Sequence, residues 1–178
     1  MHDDVMSFWF KELEPKMWWK KSDEFDATIK SRFSSLHSAA SKGELFSWRE
    51  SAQGSLAEVI VLDQFSRNMY RDTPLAFQYD STALVLSQIA IDKGFDKTLP
   101  DTERLFFYMP FMHSESALIH EQALGLFTEL GLENNLKYEL AHKKIIDRFG
   151  RYPHRNEILG RESTAEEIEF LKTPGSGF

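Results

Sequence analysis

The predicted central helix contains Ser55-Leu56-Ala57-Glu58-Val59-Ile60-Val61-Leu62-Asp63-Gln64-Phe65. Ser55 and Glu58 have the spacing of a capping box, in which each of the two side chains satisfies a backbone N–H group at a helix start. Residues 59–62 are apolar on every side of a helix, so they are expected to face other helices all round. We therefore predict a buried helix from Ser55 to about Tyr70.

Other helices are expected on both sides of this segment, because apolar residues recur three or four positions apart along most of the chain. Ser or Thr caps before the repeats and Gly after them place these helices over residues 3–13, 23–40, 73–94, 101–109, 114–130, 134–149 and 163–171. Pro110 is expected to stop the fourth of them, and Ser114 to cap the fifth. No segment alternates apolar and polar residues around a hairpin turn, as paired strands would.

The fold class is therefore all-α, an antiparallel array or bundle of about seven to eight helices joined by short loops. Successive pairs could stack in a tetratricopeptide-like manner or pack as a less regular bundle. No clear sequence repeat decides between the two. At 178 residues the chain is expected to form a single all-helical domain over residues 1–172, followed by a loose tail over residues 173–178.

Composition excludes several classes of function. The chain has no cysteine, which rules out thiolate catalysis, disulfides and Cys-based zinc sites and fits a reducing cytoplasm. Its net charge of -7 opposes binding to nucleic acid or to anionic membranes, since a polyanion requires a broad basic surface. No signal peptide or membrane span is recognisable, so we expect a cytoplasmic protein.

Cationic residues concentrate in one stretch, Arg148 to Arg161, of this acidic chain. It contains Arg148, Arg151, His154, Arg155 and Arg161 around Gly150 and Pro153, with Asn156 in its middle. These arginines could converge as forked donors on the carboxylate or phosphate of a ligand. They could equally tie the last helix to carboxylates of the protein itself, and one network could do both.

Three further positions carry polar groups where apolar ones are expected. Asp63 follows four apolar residues and needs a partner, which Arg67 can provide one turn later. It is either half of a structural ion pair or a carboxylate that orients an arginine toward a ligand. His142 shares a helix face with apolar residues, which is typical of a hydrogen-bonded core histidine. His113 and Glu115 follow the bend at Pro110, where a helix N-terminus could bind an anion and His113 could carry a proton.

A metal site is not expected from these histidines. His113 and His120 are seven positions apart, which separates them by about 10 Å along a helix. His120-Glu121 does not continue into the His-Glu-x-x-His zinc motif, because position 124 is Leu. Motifs for nucleotide binding and for serine hydrolases are also absent, and no cofactor is predicted.

Several motifs along the chain together resemble those of a bacterial family, the domain-of-unknown-function 924 family. They are Phe8-Trp9-Phe10, Trp18-Trp19, Phe25-Asp26, Arg32-Phe33, Leu62-Asp63-Gln64-Phe65 with Arg67-Asn68, Pro110-Phe111-Met112-His113-Ser114-Glu115, His142, and Arg148 through Asn156 with Leu159-Gly160-Arg161. The one departure is Ser66, where the family often has proline. The resemblance implies an all-helical, tetratricopeptide-like fold. It points to no particular activity, because the family is uncharacterised.

These observations predict a polar pocket that binds a small anionic ligand or an acidic peptide end. Its residues are Asp63, Arg67, His113, Glu115, His142, Arg148, Arg151, His154, Arg155, Asn156 and Arg161. One alternative is an enzyme acting on an anionic small molecule, with His113 or His154 as proton carrier. A second is a helical protein-interaction module whose aromatic groove includes Trp18, Trp19 or Trp48.

Overall fold

The structure is a computed structural model that describes residues 1–177, and within them every regular element is helical. Its α-helices are α1 (His2–Ser7), α2 (Asp23–Ser41), α3 (Ala52–Ile60), α4 (Ser66–Met69), α5 (Asp80–Asp92), α6 (Asp101–Met112), α7 (Ala117–Leu130), α8 (Glu133–Phe149) and α9 (Ala165–Leu171). The all-α prediction is confirmed, with some predicted helices divided into shorter pieces. No helix within residues 1–177 is long and apolar enough to cross a membrane.

The chain divides into two compact units. The first consists of residues 1–71 and 75–110, and the second of residues 72–74 and 111–177. The prediction of a single domain over residues 1–172 stays a prediction. Of the predicted loose tail, Phe178 lies outside the described residues.

The first unit is organised around one continuous helical path. α3 passes through a single π-helical turn, Val61–Phe65, into α4, and residues 54–66 are all buried. α3 packs against α1 and α5, which is the central position predicted for it. The predicted capping box is wrong, because the helix starts one turn earlier, where the Ser51 hydroxyl accepts from the Gly54 N–H. Glu58 instead accepts two hydrogen bonds from Arg49, each of 2.7 Å.

Aromatic rings fill the space between the helices of this unit. Trp9 is fully buried and lies edge-to-face against Phe65 and Phe106, at centroid distances of 5.6 Å for both pairs. Phe33 packs on Phe65 at 4.8 Å. Such pairs contribute about 0.5–1.5 kcal/mol each beyond the apolar area that they bury. Ring contacts between segments distant in sequence therefore help to stabilise the first unit.

The second unit contains the helical hairpin of α7 and α8, which pack against each other. Gly131 and Gly150 end these two helices in the left-handed conformation, at φ values of 75° and 68°, as predicted. The caps at the helix starts differ from the prediction by one or two residues. Ser116 and not Ser114 precedes α7, and Thr164 and not Ser163 caps α9, in a capping box with Glu167.

Pro110 does not stop α6, which continues to Met112. A proline removes one hydrogen bond from the helix interior, here the bond to the Phe106 carbonyl, and disfavours the helix by about 3 kcal/mol. The residues on either side of it, Met109 and Phe111, are buried, as are most of their neighbours in the helix. Burial of these large side chains offsets the proline.

Among the glycines, Gly54 has the least room for a side chain. A Cβ atom there would lie 2.2 Å from the Trp48 carbonyl oxygen and 2.9 Å from the Ser51 hydroxyl that caps α3. We expect Gly54→Ala to lower the free energy of unfolding by about 1–3 kcal/mol, the usual cost of overpacking. Gly125 in α7 has no atom within 4 Å of such a Cβ. Gly125→Ala is therefore expected to raise the free energy of unfolding by about 0.5–1 kcal/mol. Urea denaturation followed by circular dichroism measures both, and shifts of the same sign would contradict this account of Gly54.

Candidate functional site

The predicted site residues fall into both units. Asp63 and Arg67 belong to the first. The second contains His113, Glu115, His142, Arg148, Arg151, His154, Arg155, Asn156 and Arg161.

Asp63 lies in the π-helical turn and is only 1% exposed. Its carboxylate accepts hydrogen bonds from the Gln64 amide, at 2.6 Å, and from Arg67, at 3.0 Å. The guanidinium of Arg67 also donates twice to Asp80, at 2.9 Å each. The predicted pairing of Asp63 with Arg67 is therefore present, and the two form a bridge from the central helix to the start of α5.

The stretch from Arg148 to Arg161 forms an arginine-rich turn in the second unit, and Glu115 binds one side of it. Its carboxylate accepts from Arg161 at 2.7 and 2.9 Å and from the Tyr152 backbone N–H at 2.7 Å. Burial would raise the pKa of Glu115, but these hydrogen bonds and the charges of Arg155 and Arg161 outweigh it and lower the pKa. Arg161 also donates to the Asn156 side chain at 3.0 Å. Glu115 is thus ionised and joins both ends of the turn.

Glu166 and Glu167, in the first turn of α9, hold the turn from the other side. Arg151 donates to both oxygens of Glu167, at 2.7 and 2.8 Å, and Arg148 donates to Glu166 at 2.8 Å. Glu167 is 2% exposed and also accepts from the Thr164 N–H. The hydrogen bond from Arg151 lowers the pKa of Glu167 to about 2. Burial opposes this shift, and the hydrogen bond from the Thr164 N–H adds to it.

Tyr152 is the buried centre of this region. Its hydroxyl donates to the Met112 carbonyl at 2.5 Å and contacts the His120 ring nitrogen Nε2 at 3.1 Å. The rings of His142 and His154 lie with their centroids 5.6 and 5.5 Å from the Tyr152 ring. The Arg155 guanidinium stacks over Tyr152 at 4.7 Å and donates to the His113 carbonyl at 3.1 Å.

His142 is a buried, hydrogen-bonded histidine, as its apolar helix face suggested. Its Nδ1–H donates to the Tyr138 carbonyl at 2.7 Å. Burial lowers the pKa of His142 to about 3, although the hydrogen bond to the Tyr138 carbonyl opposes this shift. The imidazole is therefore neutral near pH 7, where it cannot act as a general acid.

A fully buried pair, His120 and Glu139, was missed by the sequence reasoning. The His120 Nδ1 atom lies 2.7 Å from Glu139 Oε1, while its Nε2 faces the Ser114 carbonyl at 2.9 Å and therefore carries a hydrogen. Burial raises the pKa of Glu139, and its second oxygen has no hydrogen-bond partner within residues 1–177. Both facts favour a neutral pair, in which protonated Glu139 donates to neutral His120. Nothing in the spacing of positions 120 and 139 marks this contact.

A cleft of about 420 Å³ lies between α8 and α9. It is lined by Ala141, Lys144, Ile145, Arg148 and Phe149 of α8, by Glu169 and Phe170 of α9, and by Thr173 and Gly175 beyond α9. Ile145, Phe149 and Phe170 are buried or half-buried, whereas Lys144, Arg148 and Glu169 are exposed. The cleft thus has an apolar interior and a charged rim.

Only Arg148 of the predicted site residues lines this cleft. The sequence indicates the α8 wall of the cleft, because Ala141, Lys144, Ile145 and Arg148 follow the three-and-four spacing of one helix face. It does not indicate the α9 wall, because the contact between α9 and α8 joins residues about twenty positions apart. Within the described chain, no three His, Asp or Glu side chains are placed to hold a metal ion.

The neutrality of the His120–Glu139 pair can be tested by substitution. Glu139→Gln keeps one donor toward His120, so we expect it to cost less than 1 kcal/mol if Glu139 is protonated. A buried carboxylate–imidazolium pair would instead lose about 3–5 kcal/mol when one charge is removed. Thermal and urea denaturation at pH 7 distinguish the two, with Glu139→Ala as the variant expected to destabilise in either case.

The lowered pKa of Glu167 predicts a defined acid response. Because its folded pKa of about 2 lies below the ordinary 4.5, its ionisation stabilises the fold above pH 4.5, and that stability is lost as the pH falls toward 2. The stability difference between the wild type and Glu167→Gln should therefore shrink steadily over this range. The exposed Glu157 makes no ion pair within residues 1–177, so Glu157→Gln serves as the control. A wild-type advantage that stays constant with pH would contradict the prediction.

Comparison with known proteins agrees with this architecture. The family model described as "Bacterial protein of unknown function (DUF924)" matches residues 5–175. A solved structure of a protein of unknown function from Agrobacterium tumefaciens is 39% identical, covers 96% of both chains and superimposes with a TM-score of 0.92. No curated protein matches the chain significantly. The chain belongs to the DUF924 family of bacterial proteins of unknown function.

Proposed function

We propose that this protein binds a small organic anion with an apolar body in the cleft between α8 and α9. The observation that carries the proposal is the cleft itself, whose volume of about 420 Å³ falls within the range of ligand pockets, roughly 300–1,000 Å³. Ile145, Phe149 and Phe170 supply apolar walls. Lys144 and Arg148 supply positive charge at the rim.

Arg148 is the residue best suited to hold the acid group of the ligand. Its guanidinium stacks over the rings of Phe149 and Phe170, at 4.7 and 5.7 Å, which fixes it beside the apolar walls. Its partner Glu166 is 62% exposed and Arg148 is 51% exposed. Exposed pairs of this kind contribute about 0–1 kcal/mol. A ligand carboxylate or sulfonate can therefore replace Glu166 at little cost.

The other arginines of the turn are less suited to exchange their partners. Arg151 pairs with the buried Glu167, and Arg161 with the partly buried Glu115. Leaving such a carboxylate without its donor costs more than breaking an exposed pair. These contacts support a structural role for the turn, which holds the start of α9 beside α8 and so shapes the cleft.

The remaining expectations stay predictions. They are the participation of Asp63, Arg67, His113, Glu115, His142, Arg151, His154, Arg155, Asn156 and Arg161 in a ligand pocket. They also include proton transfer by His113 or His154 and partner binding through Trp18, Trp19 or Trp48.

Fluorescence titration with 1-anilinonaphthalene-8-sulfonate tests the proposal, because this probe combines two apolar ring systems with one sulfonate. Arg148→Ala is expected to weaken binding by up to about fivefold, the range for a lost ion pair at an exposed position. Glu166→Gln removes the competing carboxylate and is expected to tighten binding by up to about fivefold. The uncharged analogue N-phenyl-1-naphthylamine should respond little to either change.

Arg32 provides a matched control. It also pairs with an exposed glutamate, Glu12, and also stacks over two phenylalanine rings, Phe8 and Phe33, but it does not line the cleft. Arg32→Ala should leave the affinity for the sulfonate unchanged. Equal losses in Arg32→Ala and Arg148→Ala, or no binding to the wild type, would overturn the proposal.

A further inference from the structure

A row of cationic side chains on α8 continues the cleft along that helix. Lys137, Lys144 and Arg148 lie on one face of α8, because Ala141 between them completes a spacing of four, three and four positions. Lys144 and Arg148 line the cleft, whereas Lys137 lies one turn beyond Ala141 and does not line it. The cationic row therefore leads out of the cleft toward the start of α8.

The two lysines of the cationic row have no acidic partner. Both are exposed, and neither Lys137 nor Lys144 makes an ion pair within residues 1–177. Lys143, by contrast, is only 14% exposed and binds Glu121 of α7 at 2.7 Å and Asp147 at 2.8 Å. The fold thus neutralises the lysine that joins α8 to α7 and leaves the charges of the two others uncompensated.

The acidic residues on the facing side of the cleft do not compensate these charges either. Glu169 pairs with Lys172, just past the end of α9, and Glu166 pairs with Arg148. Neither of them pairs with a lysine of the cationic row. Positive charge beside the cleft is therefore available to an anionic partner from outside the chain.

The length of the cationic row exceeds that of a small ligand. At 1.5 Å per residue, about 16 Å of helix separates Lys137 from Arg148. The part of α8 that lines the cleft extends only from Ala141 to Phe149, so a ligand confined to the cleft does not reach Lys137. An extended peptide advances about 3.3 Å per residue, and about five of its residues span the row.

We infer that the cleft and the cationic row together bind an acidic peptide segment of a partner protein. One apolar side chain of the segment occupies the cleft, and its carboxylates lie over Lys137, Lys144 and Arg148. This inference rests on the proposed binding function and assigns its anion to a peptide. Charge complementarity selects an acidic partner. A nucleic acid is disfavoured, because three cations on a chain of net charge -7 do not form the broad basic surface that it requires.

Fluorescence anisotropy with a synthetic peptide tests the inference. The probe is a fluorescein-labelled peptide in which one phenylalanine is flanked by three glutamates on each side. We expect the wild type to bind it, and replacement of its phenylalanine by alanine to weaken binding about tenfold or more, because the cleft then loses its apolar occupant.

Lys137→Glu distinguishes the peptide from the small anion. We expect this variant to weaken peptide binding about fivefold, since an exposed attraction is lost and a repulsion replaces it. Its affinity for 1-anilinonaphthalene-8-sulfonate should stay unchanged, because Lys137 does not line the cleft. Lys42→Glu is the matched control. Lys42 is also exposed and makes no ion pair within residues 1–177, but it follows α2 in the first unit. This control should bind both probes as the wild type does.

The outcomes separate this inference from the proposed function. If the sulfonate binds in an Arg148-dependent way but the peptide does not bind, only the peptide inference is wrong. Equal losses of peptide affinity in Lys137→Glu and Lys42→Glu would also overturn it, as they would show a response to net charge alone. Displacement of the peptide by single-stranded oligothymidine at equal charge concentration would replace it with general polyanion binding. If the wild type binds neither probe, the proposed function fails and the peptide inference fails with it.

Discussion

A carboxylate that is removed from water has to be given donors, and this requirement organises much of the structure. Glu58, Asp63 and Glu167 are all buried, and each has a partner that comes from a specific place in the chain. The partners are arginines. Their planar, forked donors bind both oxygens of a carboxylate at once, which fixes direction as well as distance.

This requirement also decides what the arginine-rich turn does. A stretch with four arginines in an acidic protein suggests a trap for an external anion. Two of them, Arg151 and Arg161, are bound to carboxylates that the fold has buried or half-buried. Arg148, at the end of α8, pairs with the exposed Glu166 and lies against two aromatic rings. The same sequence motif therefore supplies structural contacts in its middle and a candidate ligand contact at its edge.

The predictable parts of the molecule were those determined by near neighbours in sequence. The ends of α7 and α8 at Gly131 and Gly150 depend on one residue each, and the buried central helix depends on its own apolar run. The two predicted capping boxes were wrong because their glutamates, Glu58 and Glu166, pair with the arginines Arg49 and Arg148. The candidate site was predictable only on the α8 face, through the spacing that ends in Arg148. The cleft, the His120–Glu139 pair and the position of Tyr152 arise from contacts between helices.

The distribution of aromatic side chains makes the two units optically different. Trp9, Trp18, Trp19 and Trp48 all belong to the first unit, where several of them pack ring against ring. The second unit has no tryptophan, and its phenols are Tyr138 and Tyr152. Light absorbed at 295 nm, where tyrosine is transparent, excites only the first unit. Tyrosine absorption comes from both units, because Tyr70, Tyr79 and Tyr108 lie in the first. Tryptophan fluorescence excited at 295 nm therefore follows the first unit alone in an unlabelled sample.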